Sequence, residues 1–211
     1  MDGEDGNNFI SKNRLEALVD AVFAFAMTLL VIGLSVPAIP KADAAAELPP
    51  YLASMVPQFL SFLIAFFVLA SFWVGHHRHF HYLRAVDRPV LWINLLILIF
   101  VVLVPFTTDL SGDYSHVQLA VVFFHANMLF LGLLFLVHWQ YIIRHPLLEG
   151  IMPAEFQERE GTAAGLVMIL AACTGIAISF LTPSGSFYAY MFVPVAARVL
   201  SFIRHRRTKP G

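Results

Sequence analysis

Residues 14–34, RLEALVDAVFAFAMTLLVIGL, decide the fold class of this chain. Glu16 and Asp20 lie in the first turns of the stretch, and no charged residue follows them within it. An α-helix needs about 20 mainly apolar residues to cross roughly 30 Å of hydrocarbon. The stretch therefore predicts a membrane-spanning helix over 15–37. Asp20 would lie inside the membrane, where an ionised carboxylate is costly unless it faces protein or water. It is therefore a candidate functional residue.

The composition of the whole chain agrees with a membrane protein. Of the 211 residues, 59% are hydrophobic and 13% are charged, whereas about a quarter of the residues in an average soluble domain are charged. We therefore expect an integral membrane protein surrounded by the lipid bilayer. The net charge of -1 gives no reason to expect a nucleic-acid partner. Cys173 is the single cysteine, so an intramolecular disulfide is impossible.

Five further apolar segments follow the first one. Pro49 and Pro50 end a predicted loop before the second segment, and Pro89 suits the first turn of a helix in the third. A polar linker over 144–161 precedes the fifth, and its part at 153–161 is predicted to be amphipathic. The prediction is a single all-α transmembrane domain over residues 1–211, with six helices at about 15–37, 51–81, 89–110, 117–143, 162–181 and 187–203.

The basic residues predict the topology. Of the 13 Lys and Arg residues, all but Lys41 fall before the first predicted helix, in the polar end of the second or between it and the third, between the fourth and fifth, or at and after the end of the sixth. The positive-inside rule then places both termini in the cytoplasm, with an even number of spans. We expect a multi-pass protein of the cell membrane.

A stripe of large apolar residues follows one face of the first predicted helix. Phe25, Leu29 and Ile32 recur at helical spacing. Four copies of this stripe around an axis would form a narrow apolar constriction that can gate by dewetting. Ordinary packing between helices is the commoner origin of such a pattern. Thr28 is adjacent to the stripe, and a threonine in the middle of a membrane usually bonds to a carbonyl of its own helix.

Four histidines in the stretch HHRHFH, residues 76–81, form a second group of candidates. His77 and His81 have a spacing compatible with a metal site. However, a tetrahedral site needs three or four converging ligands, and the stretch contains no Cys, Asp or Glu, so no metal is expected. Histidines at the membrane interface are one alternative explanation. Another is that they pair with Asp20 and Asn94, because buried polar groups in a bilayer need partners inside the protein.

Polar residues also interrupt the fourth predicted helix. His125, Asn127 and His138 are expected to form hydrogen bonds between helices. The chain lacks a TVGYG filter, an H-E-x-x-H motif, a G-x-S-x-G motif and a Gly-rich phosphate loop. Two alternatives to a channel remain open at this point. One is a proton-linked transporter that uses Asp20 and the histidines at 76–81, and the other is a metal-dependent membrane enzyme at those histidines.

The opening stretch resembles the first helix of the prokaryotic members of the transmembrane protein 175 family, the lysosomal and bacterial potassium channels. The family signature is R-x-x-x-F-S-D, and Arg14 and Asp20 hold its outer positions. Leu18 and Val19 replace the Phe and the Ser. Residues 72–110, FWVGHHRHFHYLRAVDRPVLWINLLILIFVVLVPFTTDL, are similar to the family's junction between the second and third helices, with its Trp, paired His, Asp, Trp, Asn and distal Pro.

The resemblance covers roughly residues 10–145 and implies a homotetramer whose first helices line a central, potassium-selective pore. It implies neither a cofactor nor an enzymatic activity. By position in the family, Phe25, Leu29 and Ile32 would form the apolar constriction and Thr28 the hydroxyl layer. Phe25 stands where the family usually has Ile or Leu. A structural polar network would consist of Arg14, Asp20, His77 and Asn94.

Overall fold

The computed structural model describes residues 11–145 and 154–192. Within these ranges the chain forms helices and no β-strand. Two 3₁₀ segments, Leu30–Gly33 and Ser184–Phe192, follow the first and the last α-helix. The α-helices are α1 (Lys12–Leu29), α2 (Ala44–Ser54), α3 (Val56–Tyr82), α4 (Arg88–Asp113), α5 (Gln118–Arg144) and α6 (Ala154–Ser179).

Four of these helices are long and apolar enough to cross a membrane: α1 with its 3₁₀ extension, α3, α4 and α5. The apolar part of α6, Gly165–Ser179, is shorter. The prediction of an all-α, multi-pass membrane protein is confirmed at this level. The last predicted span, 187–203, begins inside the second 3₁₀ segment and lies outside the described residues from 193 onward. The count of six spans therefore stays a prediction.

The loop predicted over 38–50 is wrong in its second half, because Ala44–Ser54 forms α2. The run AAAEL at its start consists of residues with high helix propensity. Pro49 and Pro50 lie inside α2 and lack the N–H groups that would continue its hydrogen bonds, so this helix stays short. The second predicted span consequently starts at Val56, five residues later than expected.

The fifth predicted span also begins at a different place. We expected it to start at Thr162 after a separate amphipathic piece, but α6 is continuous from Ala154 through Gly161. Residues 154–160 are mostly good helix formers, and a single glycine inside a helix costs only about 1 kcal/mol relative to alanine. The polar linker and the apolar segment therefore join into one helix.

The helices pack around one apolar core. α1 packs on α3 and α4, and α5 packs on α4 and α6. Lipid tails are as apolar as the core, so close contact rather than exclusion from water holds such helices together. Gly112 of α4 illustrates this, since a Cβ at this position would lie 3.6 Å from the Cα of Gln58 on α3. Core residues of α1 and α5 include Val19, Phe23, Phe124 and Met128.

Asp87 fixes the beginning of α4. Its Oδ1 accepts a hydrogen bond of 2.9 Å from the backbone N–H of Val90, which is the usual role of a helix N-cap. Its Oδ2 accepts a hydrogen bond of 2.6 Å from the hydroxyl of Tyr141 on α5. Pro89 occupies the first turn, as predicted. One carboxylate thus starts α4 and attaches it to α5, at the end of the bundle where Asn94 lies.

Candidate functional site

The two faces of α1 have different surroundings. One face packs into the core and consists of Leu15, Val19, Phe23 and Ala26. The other carries the predicted stripe, which points away from the rest of the chain: Phe25 is 69% exposed, Leu29 42% and Ile32 70%. Because the remainder of α1 is well packed, this apolar face is available for lipid or for other subunits.

Thr28 lies on the exposed side of α1, next to the stripe. Its hydroxyl donates a hydrogen bond of 2.8 Å to the backbone carbonyl of Phe25. The prediction of a bond within its own helix is confirmed. Since the hydroxyl proton is engaged in this bond, the oxygen lone pairs remain free on the outer surface of the helix.

Asp20 has a partner that the sequence analysis missed. Its Oδ1 accepts a hydrogen bond of 2.8 Å from the indole Nε1 of Trp73 on α3. The same indole stacks on His77 at a centroid distance of 6.1 Å. The Nδ1 atom of His77 lies 3.6 Å from an oxygen of Glu16. The surface cluster of Glu16, Asp20, Trp73 and His77 therefore joins α1 to α3.

Asn94 belongs to a different, fully buried cluster. Its Oδ1 accepts a hydrogen bond of 2.5 Å from Nε2 of His76, and its Nδ2 lies 3.1 Å from Nε2 of His138 on α5. Nδ1 of His138 in turn lies 3.4 Å from Nδ1 of His79. We call these four side chains the His/Asn cluster. It joins α3, α4 and α5.

Hydrogen bonding fixes the protons within the His/Asn cluster. The carbonyl oxygen of Asn94 can only accept, so His76 donates from Nε2. The amide nitrogen of Asn94 donates to the carbonyl of Val90 and to Nε2 of His138. His138 then carries its proton on Nδ1 and donates it to His79. With this assignment both ring nitrogens of His138 and both N–H groups of Asn94 are used in hydrogen bonds.

The predicted network of four residues is therefore divided between two places. Asp20 and His77 belong to the surface cluster, and Asn94 belongs to the His/Asn cluster. The histidine that binds Asn94 is His76 rather than His77, because neighbouring residues of a helix point about 100° apart. Arg14 is exposed on α1 and is not a partner in these hydrogen bonds.

The other polar residues of α5 form the predicted bonds to neighbouring elements. Nδ1 of His125 lies 2.9 Å from the hydroxyl of Tyr190, and its Nε2 lies 2.8 Å from the hydroxyl of Ser186. Asn127 donates a hydrogen bond of 3.2 Å to the carbonyl of Phe100 on α4. His125 thereby holds the second 3₁₀ segment against α5.

No group of three or more His, Cys, Asp or Glu residues suited to a metal occurs in the part of the chain that the structure describes. The buried histidine nitrogens that face one another are used in hydrogen bonds. The arrangement offers no site for metal-dependent chemistry within these residues. The arrangement does present an exposed apolar face on α1. The surface cluster attaches α1 to α3, and the His/Asn cluster joins α3 to α4 and α5.

Comparison with known proteins points to one family. The family model of the endosomal/lysosomal potassium channel TMEM175 matches residues 14–105, which include most of α1, all of α3 and most of α4. A potassium channel of Streptomyces collinus is 36% identical over 137 residues, or 62% of this chain and 64% of that relative. Over these residues the chain is similar to the TMEM175 family. It spans slightly less than two thirds of the Streptomyces relative's length.

Two further similar proteins are a solved structure with a similar fold and a human relative that is named as a proton channel. The crystal structure of a lysosomal potassium-selective channel TMEM175 homolog from Chamaesiphon minutus is similar with a TM-score of 0.71 and 27% identity, covering 88% of this chain and 97% of that one. The human endosomal/lysosomal proton channel TMEM175 is 31% identical over 97 residues, 44% of this chain and 19% of that protein. These relatives are ion channels, so the prediction that the chain is not an enzyme is confirmed.

Proposed function

We propose that this chain forms a potassium-permeable cation channel in the cell membrane. The bacterial relatives from Streptomyces and Chamaesiphon are named as potassium channels. In the proposed assembly four copies surround a central pore lined by α1, and both termini lie in the cytoplasm. The distribution of Lys and Arg supports this orientation.

The observation that carries the proposal is the outward apolar stripe of α1. Phe25, Leu29 and Ile32 are more than 40% exposed in the single subunit, although they lie within the residues that the family model matches. Four such stripes would form the constriction. An apolar neck of this kind resists water and ions until it widens.

Thr28 is proposed to form the hydroxyl layer beside the constriction. Its proton is used within the helix, so its oxygen is free to contact a cation. Removing water from potassium costs less than removing it from sodium. A narrow apolar neck followed by a ring of hydroxyl oxygens would therefore favour potassium without a carbonyl filter.

The polar residues beside α1 are proposed to position the helix rather than to conduct. Asp20 binds Trp73 of α3, while Asn94 and His76 hold α4 against α3 from behind. Arg14 and His77 are proposed to support α1 at the same end of the bundle, where His77 stacks on Trp73 and Arg14 is exposed. Their role would be to keep the stripe turned toward the pore axis.

Potassium flux into liposomes tests the proposal. The purified wild-type chain should conduct potassium, and Phe25→Ala should increase the leak because it removes a ring from the constriction. Phe106→Ala is the matched control, since Phe106 is also an exposed phenylalanine and lies on α4. Absence of flux from the wild-type protein would overturn the channel, and an unchanged flux in Phe25→Ala would remove Phe25 from the pore.

Crosslinking in mild detergent tests the assembly. The expected largest product contains four chains. A protein that remains monomeric under conditions in which it conducts would contradict a central pore lined by four copies of α1.

Proton-linked transport is the second candidate, and the name of the human relative as a proton channel favours it. In that case Asp20 and the histidines at 76–81 would carry protons. Asp20→Asn separates the two functions. We expect potassium flux to persist in this variant, whereas loss of a flux driven by a pH gradient would favour the second candidate.

A further inference from the structure

A small cavity lies at the C-terminal end of α1, behind the 3₁₀ segment Leu30–Gly33. It lies between this segment, α3 and α4, is partly open to the surface, and has a volume of about 10 Å³. That volume is the space of roughly one water-sized sphere. Its polar lining comes from Gln58 of α3 and from Thr108 and Asp109 of α4. We call these three residues the oxygen cluster.

Two oxygen atoms of the cluster are buried without a partner. Oε1 of Gln58 and Oγ1 of Thr108 accept and donate no hydrogen bond in the part of the chain that the structure describes. Thr108 is only 5% exposed. A buried polar atom without a partner costs about 1–3 kcal/mol, so such atoms usually face a ligand or an ordered water.

The neighbours of Thr108 make this unusual. Thr107 donates to the carbonyl of Val104 at 3.1 Å, and Ser111 donates to the carbonyl of Thr108 at 3.0 Å. Hydroxyls on this helix therefore bond back to the backbone as a rule. Thr108 does not, and this residue lines the cavity.

The charge of the cluster selects the kind of ligand. Asp109 is exposed and brings a carboxylate to the cavity, where Gly33 makes room for it: a Cβ on Gly33 would lie 2.5 Å from Oδ1 of Asp109. The polar side chains at the cavity offer oxygen atoms and no sulfur or imidazole, which suits a hard cation. With one carboxylate only, the site balances a single positive charge.

We propose that the oxygen cluster binds one monovalent cation, potassium, between the 3₁₀ segment, α3 and α4. Neutral oxygens such as those of Gln58 and Thr108 can replace part of the hydration shell of this ion, and Asp109 supplies the countercharge. The site would attach the C-terminal end of α1 to the two helices behind it. It goes beyond the proposed conduction pathway and does not require that the protein conduct.

Anomalous diffraction with thallium, which substitutes for potassium, tests the site directly. Crystals of the purified chain grown in a thallium salt should show an anomalous peak in contact with Oγ1 of Thr108 and the carboxylate of Asp109. Density without an anomalous signal would mean that the cavity holds a water, and the proposal would be wrong. A thallium peak on the pore axis with none at the cluster would overturn this site and leave the proposed channel intact.

Thermal unfolding provides the second test. Replacing choline chloride by potassium chloride at equal ionic strength should raise the melting temperature of the wild-type chain by about 3 °C. Thr108→Val and Asp109→Asn should abolish this rise. Asp113→Asn removes the same charge one turn further along α4, outside the cavity, and Phe25→Ala alters the proposed pore. Both should keep the rise, and an undiminished rise in Thr108→Val and Asp109→Asn would overturn the proposal.

Discussion

The His/Asn cluster and the oxygen cluster lie toward opposite ends of the same helices, α3 and α4, and differ in how well their polar atoms are satisfied. In the His/Asn cluster, both N–H groups of Asn94 and both ring nitrogens of His138 are used in hydrogen bonds to other groups of the chain. In the oxygen cluster, Gln58 and Thr108 each keep a buried oxygen without a partner.

The difference separates a structural role from a binding role. A buried network that satisfies itself adds rigidity and has no capacity for a ligand. A buried group that the chain leaves unsatisfied has a cost that an ion or a water can offset. Substitutions in the His/Asn cluster should therefore lower the free energy of unfolding in any salt. Substitutions in the oxygen cluster should mainly change how this free energy responds to potassium.

The largest expected effect is that of Asn94→Ala. The change leaves the Nε2–H of His76 and the Nε2 of His138 buried without partners, so the free energy of unfolding should fall by about 2–3 kcal/mol. Reversible unfolding in mixed micelles, followed by tryptophan fluorescence, measures it. A loss below about 0.5 kcal/mol would show that the His/Asn cluster does not hold the helices together.

Two glycine-to-alanine substitutions compare a closely packed site, at Gly175, with a site beside a cavity, at Gly33. In Gly175→Ala the new methyl group would lie 2.6 Å from Cε1 of His125, whose two nitrogens are held by Tyr190 and Ser186. We expect a loss of about 1–3 kcal/mol, typical of overpacking.

In Gly33→Ala the methyl group meets the end of the Asp109 side chain, which can turn toward solvent. We expect a loss below about 1 kcal/mol, in the range of surface substitutions, together with a weaker response to potassium. The same unfolding measurement applies to both variants. Equal losses in the two would mean that the cavity beside Gly33 is as tightly packed as the surroundings of His125.

Thr108→Val should have a smaller effect in the absence of potassium. The valine keeps the shape of the side chain and removes an oxygen that has no partner in the chain. The unfolding free energy in choline chloride should change by less than about 0.5 kcal/mol. A loss of 2 kcal/mol or more under these conditions, as for Asn94→Ala, would show that Thr108 has a structural partner.

The smallest effect is expected for His77→Ala. The side chain of His77 is 60% exposed and lies 3.6 Å from Glu16, and exposed pairs of this kind contribute between about 0 and 1 kcal/mol. We expect a change below about 0.5 kcal/mol in the unfolding free energy. A loss as large as that of Asn94→Ala would place His77 in the structural network after all.

Much of the membrane fold could be predicted from the sequence because the bilayer imposes length and polarity on each span. The α1 stretch and the apolar segments around it required no tertiary information. The helix at Ala44–Ser54 was missed because Pro49 and Pro50 are typical of loops, while the run of alanines before them was strong enough to form a helix.

The partners of the polar residues were harder to predict. Asp20, Asn94 and the histidines could be placed at the same depth, but depth does not decide which of two adjacent histidines faces inward. His76 and His77 differ only in rotation about the axis of α3, and that rotation is set by the packing of the whole helix. The cavity at Thr108 could not be predicted from the sequence for the same reason, because it depends on how three separate segments pack against one another.

The 3₁₀ turn Leu30–Gly33 changes the angular spacing of side chains at the C-terminal end of α1. In such a turn the side chains at i and i+3 eclipse one another, with a rise of about 6 Å over three residues. Ile32 then lies almost directly above Leu29, whereas a continuous α-helix would rotate it away. In the proposed fourfold assembly these residues would make two square rings, one stacked over the other, and an ion leaving the first would meet the second without moving sideways.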